Sequence, residues 1–439
     1  MLGCDIGTLF RVTVAGGSYQ EGLTTHLQGV PPGLLITEEE IYQDLLIRKP
    51  GQGELTSPRR EPDIPIIYNG INAADTMPGF KNAGHTNGTP FVILIPNLDR
   101  HFEHIEQYQV TNRTPRPGHA SYASYMKYDH WDDAIGAGIF SGRYTSTIVA
   151  AGAVAKAILK QHGIEVTAYV REAAGVVMPD LPIGEIRKKA AAYRQVRKEH
   201  DPIWRFVYQS GRIKPGMRFL EKAPVLSEVE GMNGKFAAVA MDEDKIRKEH
   251  GIHPSLFCPH LESADAMYEK IISIKKAGDS SGGVVEVIAT GLPAGMGEPV
   301  FKKLDGELGR MLSIGAVKAV EVGAGVRVKD MVGSECNDQL SVDDAGQVRF
   351  SGNQAGGVTG GVTTGQDLVV RLAVKPTPTI SKDQHTIDKV NRTNEVLKAV
   401  TRRDPTLVAR IWPVAEAFTA MVLLDHYMMH LGYQAMWRK

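Results

Sequence analysis

Arg116-Pro-Gly-His119 joins a permanent cation to the one side chain that titrates near neutral pH, with Pro117 and Gly118 fixing the turn between them. That pairing suits a small-molecule active site in which an anionic substrate or cofactor is held while a proton moves. A loop histidine beside an arginine is also often merely solvated, so the pair needs company. The block Ser351-Gly-Asn-Gln-Ala-Gly-Gly-Val-Thr-Gly-Gly-Val-Thr-Thr-Gly365 has six glycines in fifteen positions. Glycine permits close backbone approach and positive φ, leaving N–H groups for phosphate or carbonyl oxygens. The block has no Gly-Lys-Ser/Thr ending and does not fit GxGxxG followed by an acid. Its two readings are a ligand-binding loop and a flexible hairpin. Arg402-Arg403-Asp404-Pro405 is a second charged knot, otherwise a helix-start cap, since the residue before proline avoids helix. Ser18, after Gly16-Gly17, is a hydroxyl at a strand end or an ordinary turn residue. HExxH, EF-hand and paired CxxC patterns are missing, and no dedicated metal site is expected.

These groups need a scaffold, and 439 residues suffice for a large one. Hydrophobic residues make up 42% and charged residues 23%, ordinary for a chain that buries a core. Fifty basic residues balance fifty acidic ones, so no whole-molecule field attracts nucleic acid or an anionic membrane. Cys4, Cys258 and Cys336 are too few and too far apart for a disulfide framework. The first residues lack a basic segment and a long apolar core, so a cytoplasmic protein is expected. No apolar run is long enough to span a bilayer.

Residues 9–14 alternate as a strand does, and residues 91–95 read as a short buried strand. A helix is expected from Thr37 to about Leu46. Residues 144–161 are almost continuously small or apolar, with Gly163 as a stop, and predict a buried helix. Its alanines and Gly152 permit close packing on a neighbouring element. Residues 187–218 hold ten Lys or Arg against two acids, interleaved with Tyr193, Trp204, Phe206 and Tyr208. That stretch reads as a solvated insertion or lid. Later come a helix over 263–276 with Ser263 as its cap, a strand over 283–290, a helix over 298–312 and strands over 317–322, 347–350 and 368–374. Helices are expected near 386–400 and 414–431.

Taken in order, these blocks resemble chorismate synthase. The segments that carry the resemblance are Gly29-Val-Pro-Pro-Gly33, Arg59-Arg-Glu-Pro-Asp63, Arg116-Pro-Gly-His119, Val149-Ala-Ala-Gly-Ala153, Gly278-Asp-Ser-Ser-Gly-Gly-Val-Val-Glu-Val287, Gly297-Glu-Pro-Val-Phe301 and Gly333-Ser-Glu-Cys-Asn-Asp338. Ala355-Gly-Gly357 leading to Lys375-Pro-Thr-Pro-Thr379, and Asp404-Pro405 with Glu416, complete the set. The resemblance implies an α+β fold, a β-α-β sandwich formed as one domain over 1–439, with 184–250 as a basic insertion or lid. It implies a homotetramer that uses reduced FMN, with electrons from NADPH or a flavin reductase. The implied reaction is a redox-neutral 1,4-elimination of phosphate from 5-enolpyruvylshikimate 3-phosphate, a small anionic cyclohexene acid. By the same resemblance His119 is catalytic and acts toward the flavin, Ser18, Ser141 and Asp404 relay protons, and Arg48, Arg116, Arg143 and Arg402 bind substrate. Asn353, Ala355, Gly356, Lys375 and Thr379 would contact the flavin.

The departures are local. The signature Gly-Glu-Ser-His-Gly is here Gly16-Gly17-Ser18-Tyr19-Gln20, so a catalytic histidine is replaced by Tyr19. A phenol, with a reference pKa near 10, is a far weaker acid at neutral pH than imidazolium. Ile139 and Tyr144 stand for an arginine and a glutamate, Glu54 for an arginine expected to reach the substrate, and Ser121 for an aspartate. Three readings are open. The chain retains the family reaction with compensating cations, or has changed its substrate or leaving group, or is a non-catalytic flavin-binding member.

Overall fold

The computed structural model describes residues 3–57, 59–73, 82–99, 113–133, 135–232, 236, 239–398 and 404–437. Strands β1 (Asp5–Ile6), β2 (Arg11–Gly16), β3 (Gly22–Gln28), β4 (Ile66–Asn69) and β5 (Phe91–Pro96) form one antiparallel sheet in the order β1-β2-β3-β5-β4. The alternation read at 9–14 belongs to this sheet: Val12 is buried opposite Leu27, while Arg11 and Thr13 face solvent. Such one-sided burial is what an antiparallel sheet with one covered face requires.

Strands β6 (Glu165–Ala173), β7 (Val176–Val177), β8 (Gly283–Thr290) and β9 (Val317–Val322) belong to a second antiparallel sheet. The chain then forms hairpins β10 (Leu340–Val342)–β11 (Val348–Phe350) and β12 (Val358–Thr359)–β13 (Val362–Thr363) before β14 (Leu368–Val374) inserts between β8 and β9.

Helices fill the space between the sheets. Helix α1 (Glu38–Arg48) starts in a capping box, with Thr37 Oγ1 accepting from Glu40 N–H and the Glu40 carboxylate accepting from Thr37 N–H. Helix α2 (Thr145–Gln161) touches β2, β3 and β5 on one side and β6 on the other. A helix apolar on every side needs cover on every side, and the two sheets supply it. Helix α3 (Ile183–Glu199) packs on α1 and β6, and helix α4 (Leu261–Lys276) packs on β6 and β7. Helix α5 (Val408–Trp437) lies against α2, β6 and β8 and is buried from Val408 to His426. The β-α-β sandwich expected from the resemblance is therefore the observed architecture. Gly152 sets the closest approach of α2 to α5: a Cβ there would lie 2.3 Å from Ala417 Cβ. Farther along α5, the Asp425 carboxylate accepts from Thr8, Leu9 and Phe10 N–H at 2.7–3.0 Å, fastening the turn before β2.

Several expectations are corrected. The basic stretch read as a solvated face over 187–218 is partly buried, with Tyr193, Val196, Arg197, Ile203 and Val207 among its buried residues. Arg194 pairs with Asp44 of α1 and Glu416 of α5, both at 2.5 Å, and Lys222 pairs with Glu38. Asp201 holds Lys49, and Tyr193 packs on Phe257 and Trp412. The basic residues thus form an ionic seam with acids of α1 and α5, because α1 carries its acids on the face turned toward them. The helix expected at 386–400 is instead the hairpin β15 (Gln384–Asp388)–β16 (Thr393–Leu397). Asp388 Oδ1 accepts from Val390 and Asn391 N–H, a side-chain turn that outweighs the helical pattern. The cap of α4 is His260, whose ring accepts from Ser263 N–H, and not Ser263 itself. Residues 298–312 hold only short turns of helix around Leu304–Gly309. No described helix is long and apolar enough to cross a membrane.

Gly152→Ala should destabilise the fold by about 1–3 kcal/mol, since neither helix backbone can withdraw without opening the core. Gly184→Ala, where the added methyl meets nothing within 4 Å, should stay within about 0.5 kcal/mol of the parent. Paired denaturant titrations compare them.

Candidate active site

Three buried charges organise the ground beneath the site. Arg48 is the last residue of α1, Asp63 lies in the loop before β4, and Arg143 stands just ahead of α2. Asp63 is fully buried and uses both oxygens, Oδ2 accepting from Arg48 Nη1 at 2.9 Å and Oδ1 from Arg143 Nη1 at 2.6 Å. Arg48 also donates to Thr145 Oγ1 and to the Gly142 carbonyl. Arg143 Nε donates to Asn97 Oδ1 at 2.5 Å, and the Asn97 amide in turn holds the carbonyls of Gly17, Ser18 and Gln20. The two arginines, despite burial, keep Asp63 below the usual carboxylate range.

Above them opens a cavity of about 1090 Å³. Its lining has nine basic side chains (Arg48, Arg59, Arg116, Lys127, Arg143, Arg310, Lys318, Lys375 and Arg410) and three acidic ones (Asp5, Glu61 and Asp404). A chain with no net charge has therefore concentrated cations in one concave place, as an anion site requires. Ile139, Phe140, Leu312 and Ile314 form an apolar part of the wall.

His119 lines this cavity and lies with its ring nitrogens 3.0 and 3.3 Å from Arg116 Nη2. Burial, with Arg116 and Lys375 nearby, pushes its pKa down to about 3, so the ring is neutral at physiological pH. Lys375 donates to the Gly118 carbonyl and clamps the loop, while Ser121 Oγ accepts from Arg116 N–H. Asp404 is fixed from two sides: Oδ1 accepts from Ser57 N–H at 2.5 Å and Oδ2 pairs with Arg410 at 3.0 Å. Arg410 Nε continues the chain of contacts to the Arg48 carbonyl. Ser141 lines the cavity and accepts from Arg143 N–H.

The structure thus brings His119, Asp404, Ser141, Arg48, Arg116, Arg143, Lys375 and Thr379 to one cavity. Ser18 and Tyr19 stand just outside its lining. Ser18 Oγ is buried with no hydrogen-bond partner among the described residues. Tyr19 accepts from Arg59 Nη2 at 3.5 Å, and its ring rests over Gly136, where a Cβ would lie 2.5 Å away. Gly136 has φ of 62°, so this close approach and the turn both call for glycine. Asn353, Ala355 and Gly356 are not brought in. Asn353 bridges Asp367 and Gly357, Asp338 accepts from Ala355 N–H, and Gly356 packs on Gly323. The glycine block contains the hairpin β12–β13, and its residues do not line this cavity. Arg402 lies outside the described residues.

Three departures lose their expected effect. Glu54 turns outward, where its carboxylate accepts from Tyr268 of α4, and does not line the cavity. Ile139 and Tyr144 replace one cation and one anion together, leaving the local charge balance unchanged. Tyr144 now ties the opposite wall, donating to the Ser313 carbonyl and accepting from Gly315 N–H. Sequence reasoning missed Asp63, Asn97, Arg410 and Thr377 as site residues. Thr377 Oγ1 is buried in the cavity wall with no hydrogen-bond partner among the described residues. The Arg59-Arg-Glu-Pro-Asp63 cluster was a visible signal for Asp63, whereas Asn97 had none.

The family model described as chorismate synthase matches residues 10–428. A chorismate synthase of Acetivibrio thermocellus is 36% identical, covering 99% of this chain and 97% of the relative. One of Methanosarcina mazei is 35% identical, covering 99% and 98%. A crystal structure titled as that of a chorismate synthase superposes with a TM-score of 0.63 at 24% identity, over 97% of this chain and 94% of the other.

Asp63→Ala should cost about 3–5 kcal/mol, as it leaves two buried guanidiniums without their shared carboxylate. Urea titration measures that loss. His119 should stay neutral from pH 8 down to about pH 5 in nitrogen-15 NMR of the unliganded protein. Its lowered pKa also has a stability consequence. As pH falls from 6.5 toward about 3 the unfolded histidine binds a proton that the folded one refuses, so stability falls across that window. His119→Gln should flatten that part of the pH–stability curve.

Proposed function

The chain belongs to the chorismate synthase family, and on that footing we propose that it catalyses the redox-neutral 1,4-elimination of phosphate from 5-enolpyruvylshikimate 3-phosphate. This is a lyase reaction of the shikimate pathway, and we propose reduced FMN as its cofactor. The observation that carries the reading is the cavity itself, whose nine cations face three acids beside an apolar wall. Its volume exceeds what one drug-sized ligand normally fills, leaving room for a substrate and a flavin together. The donor set also suits a flavin: Lys375, Thr379 and the unpartnered Thr377 hydroxyl lie on one wall, next to the apolar surface a ring system needs.

Reduced flavin, which Lys375, Thr377 and Thr379 would hold, would supply electron density for the departure of the phosphate and a basic site for the ring proton. The chain's own groups do the rest. Arg48 and Arg143 already share Asp63, so they present a rigid positive surface and not two flexible side chains. Burial, with Arg116 and Lys375 beside it, holds His119 neutral. An anionic ligand beside them offsets their charge and raises the histidine's proton affinity, which suits it to hold a proton only once the site is loaded. Asp404, locked by Ser57 and Arg410, offers an oriented carboxylate.

One observation favours a second reading, a changed leaving group or substrate: Tyr19 stands where the family signature has histidine. Complementation of an auxotroph lacking chorismate synthase separates the two. Growth, with phosphate release in an anaerobic assay containing reduced FMN, is the expected result. Flavin binding without growth would favour the second reading. His119→Ala should lower kcat by about 10²–10⁴-fold, the usual range for loss of a general acid or base.

A further inference from the structure

One carboxyl group in the cavity has no part in the reading above. Glu61 follows Arg59 by two residues and precedes Asp63 by two, and it lines the cavity while only 6% exposed. Its neighbour Asp63 has each oxygen bonded to a guanidinium. Glu61 has much less: Arg143 Nη2 lies 3.2 Å from its Oε2 but out of line for a hydrogen bond, and that oxygen has no other partner among the described residues. The guanidinium of Arg143 is already engaged by Asp63, Asn97 and the Pro96 carbonyl. A buried carboxylate with so little compensation binds a proton. Burial, opposed by Arg143 and reinforced by Asp63 and Asp99, pushes the Glu61 carboxyl up to about 7. Arg59 of its own loop is the remaining charge facing it and opposes the rise.

Tyr19, which stands in place of the signature histidine, is poorly suited to give up a proton. Its hydroxyl accepts from Arg59, and a phenol gives up a proton reluctantly at neutral pH. Arg59, which reaches the Tyr19 hydroxyl, and Glu61 both line the cavity. We propose that Glu61 is the proton donor to the leaving phosphate in this chain. The inference rests on the phosphate elimination proposed above. In that step the Glu61 O–H bond breaks and an O–H bond forms on a phosphate oxygen. The carbon–oxygen bond breaks with its electron pair leaving on the phosphate. The Glu61 carboxylate then regains a proton from solvent, and no oxidant or reductant is consumed. A donor whose pKa lies near the working pH is the one that general acid catalysis favours.

Glu61→Gln keeps the shape and polarity of the side chain but carries no titrating proton. In the full-length protein with reduced FMN, this variant should retain flavin binding and melting temperature. Its phosphate release at neutral pH should fall by about 10²-fold or more, and the limb of the pH–rate profile near 7 should vanish. Adding Tyr19→His to Glu61→Gln should recover at least about tenfold, because an imidazole then stands in the family's donor position. Wild-type rates with an unchanged profile in Glu61→Gln overturn the proposal. Infrared difference spectra taken between about pH 5 and 9 give a readout without turnover: a protonated-carboxyl band that titrates near 7 and is missing in Glu61→Gln. Failure to see that band overturns the proposal as well. If the parent protein releases no phosphate at all, the elimination reading fails, and the infrared band still decides whether Glu61 holds the proton.

Discussion

Asp63 is the constraint on which the site depends. One buried carboxylate binds two guanidiniums, and those guanidiniums come from the end of α1 and the approach to α2. Isolated, either arginine would be costly to bury, and so would the acid. Together they fix three segments that are far apart in sequence. Asn97 extends the arrangement from Arg143 to the Gly17–Gln20 turn, and Arg410 extends it from Arg48 to Asp404. The catalytic candidates are thus attached to one charge cluster and not held independently.

The same economy of charge explains how a chain with equal numbers of acids and bases makes a cationic cavity. Basic residues of 184–250 are matched by acids of α1 and α5, in the seam of Arg194, Asp44, Glu416, Lys222 and Glu38. Their charge is neutralised where they lie. The cavity's cations are matched far less fully, with nine lining it against three acids. Net charge therefore says little about where an anion binds; the distribution of partners decides it.

Under the role proposed for Glu61, the missing signature residue at Tyr19 would not by itself remove an activity. The loss of an imidazole removes one way to hold a proton near neutrality. A carboxyl group deprived of full compensation is another, and burial beside Asp63 and Asp99 produces that state. Glu54, which looked like a repulsive charge in the linear chain, faces α4 instead.

Much of the fold was legible before any coordinates. The strands at 283–290 and 317–322 and the buried helix at 144–161 follow from local periodicity, which survives because each buries one face or all faces in a simple way. Family membership and the grouping of His119, Asp404 and Lys375 followed from motif order. What local pattern could not reveal was where charged residues find their partners. The basic stretch at 187–218 reads as a solvated face because its acids lie in α1 and α5, more than a hundred residues away in either direction. The hairpin at 384–397 hides in a helix-like pattern until the Asp388 turn is seen. The bonds of Asn353 and Ala355 to Asp367 and Asp338 were likewise hidden in the linear motif. Residue types set which bonds this chain is able to make. Long-range packing chose among them, because an ionic or hydrogen-bonding group takes its role from the partner that the fold brings within reach.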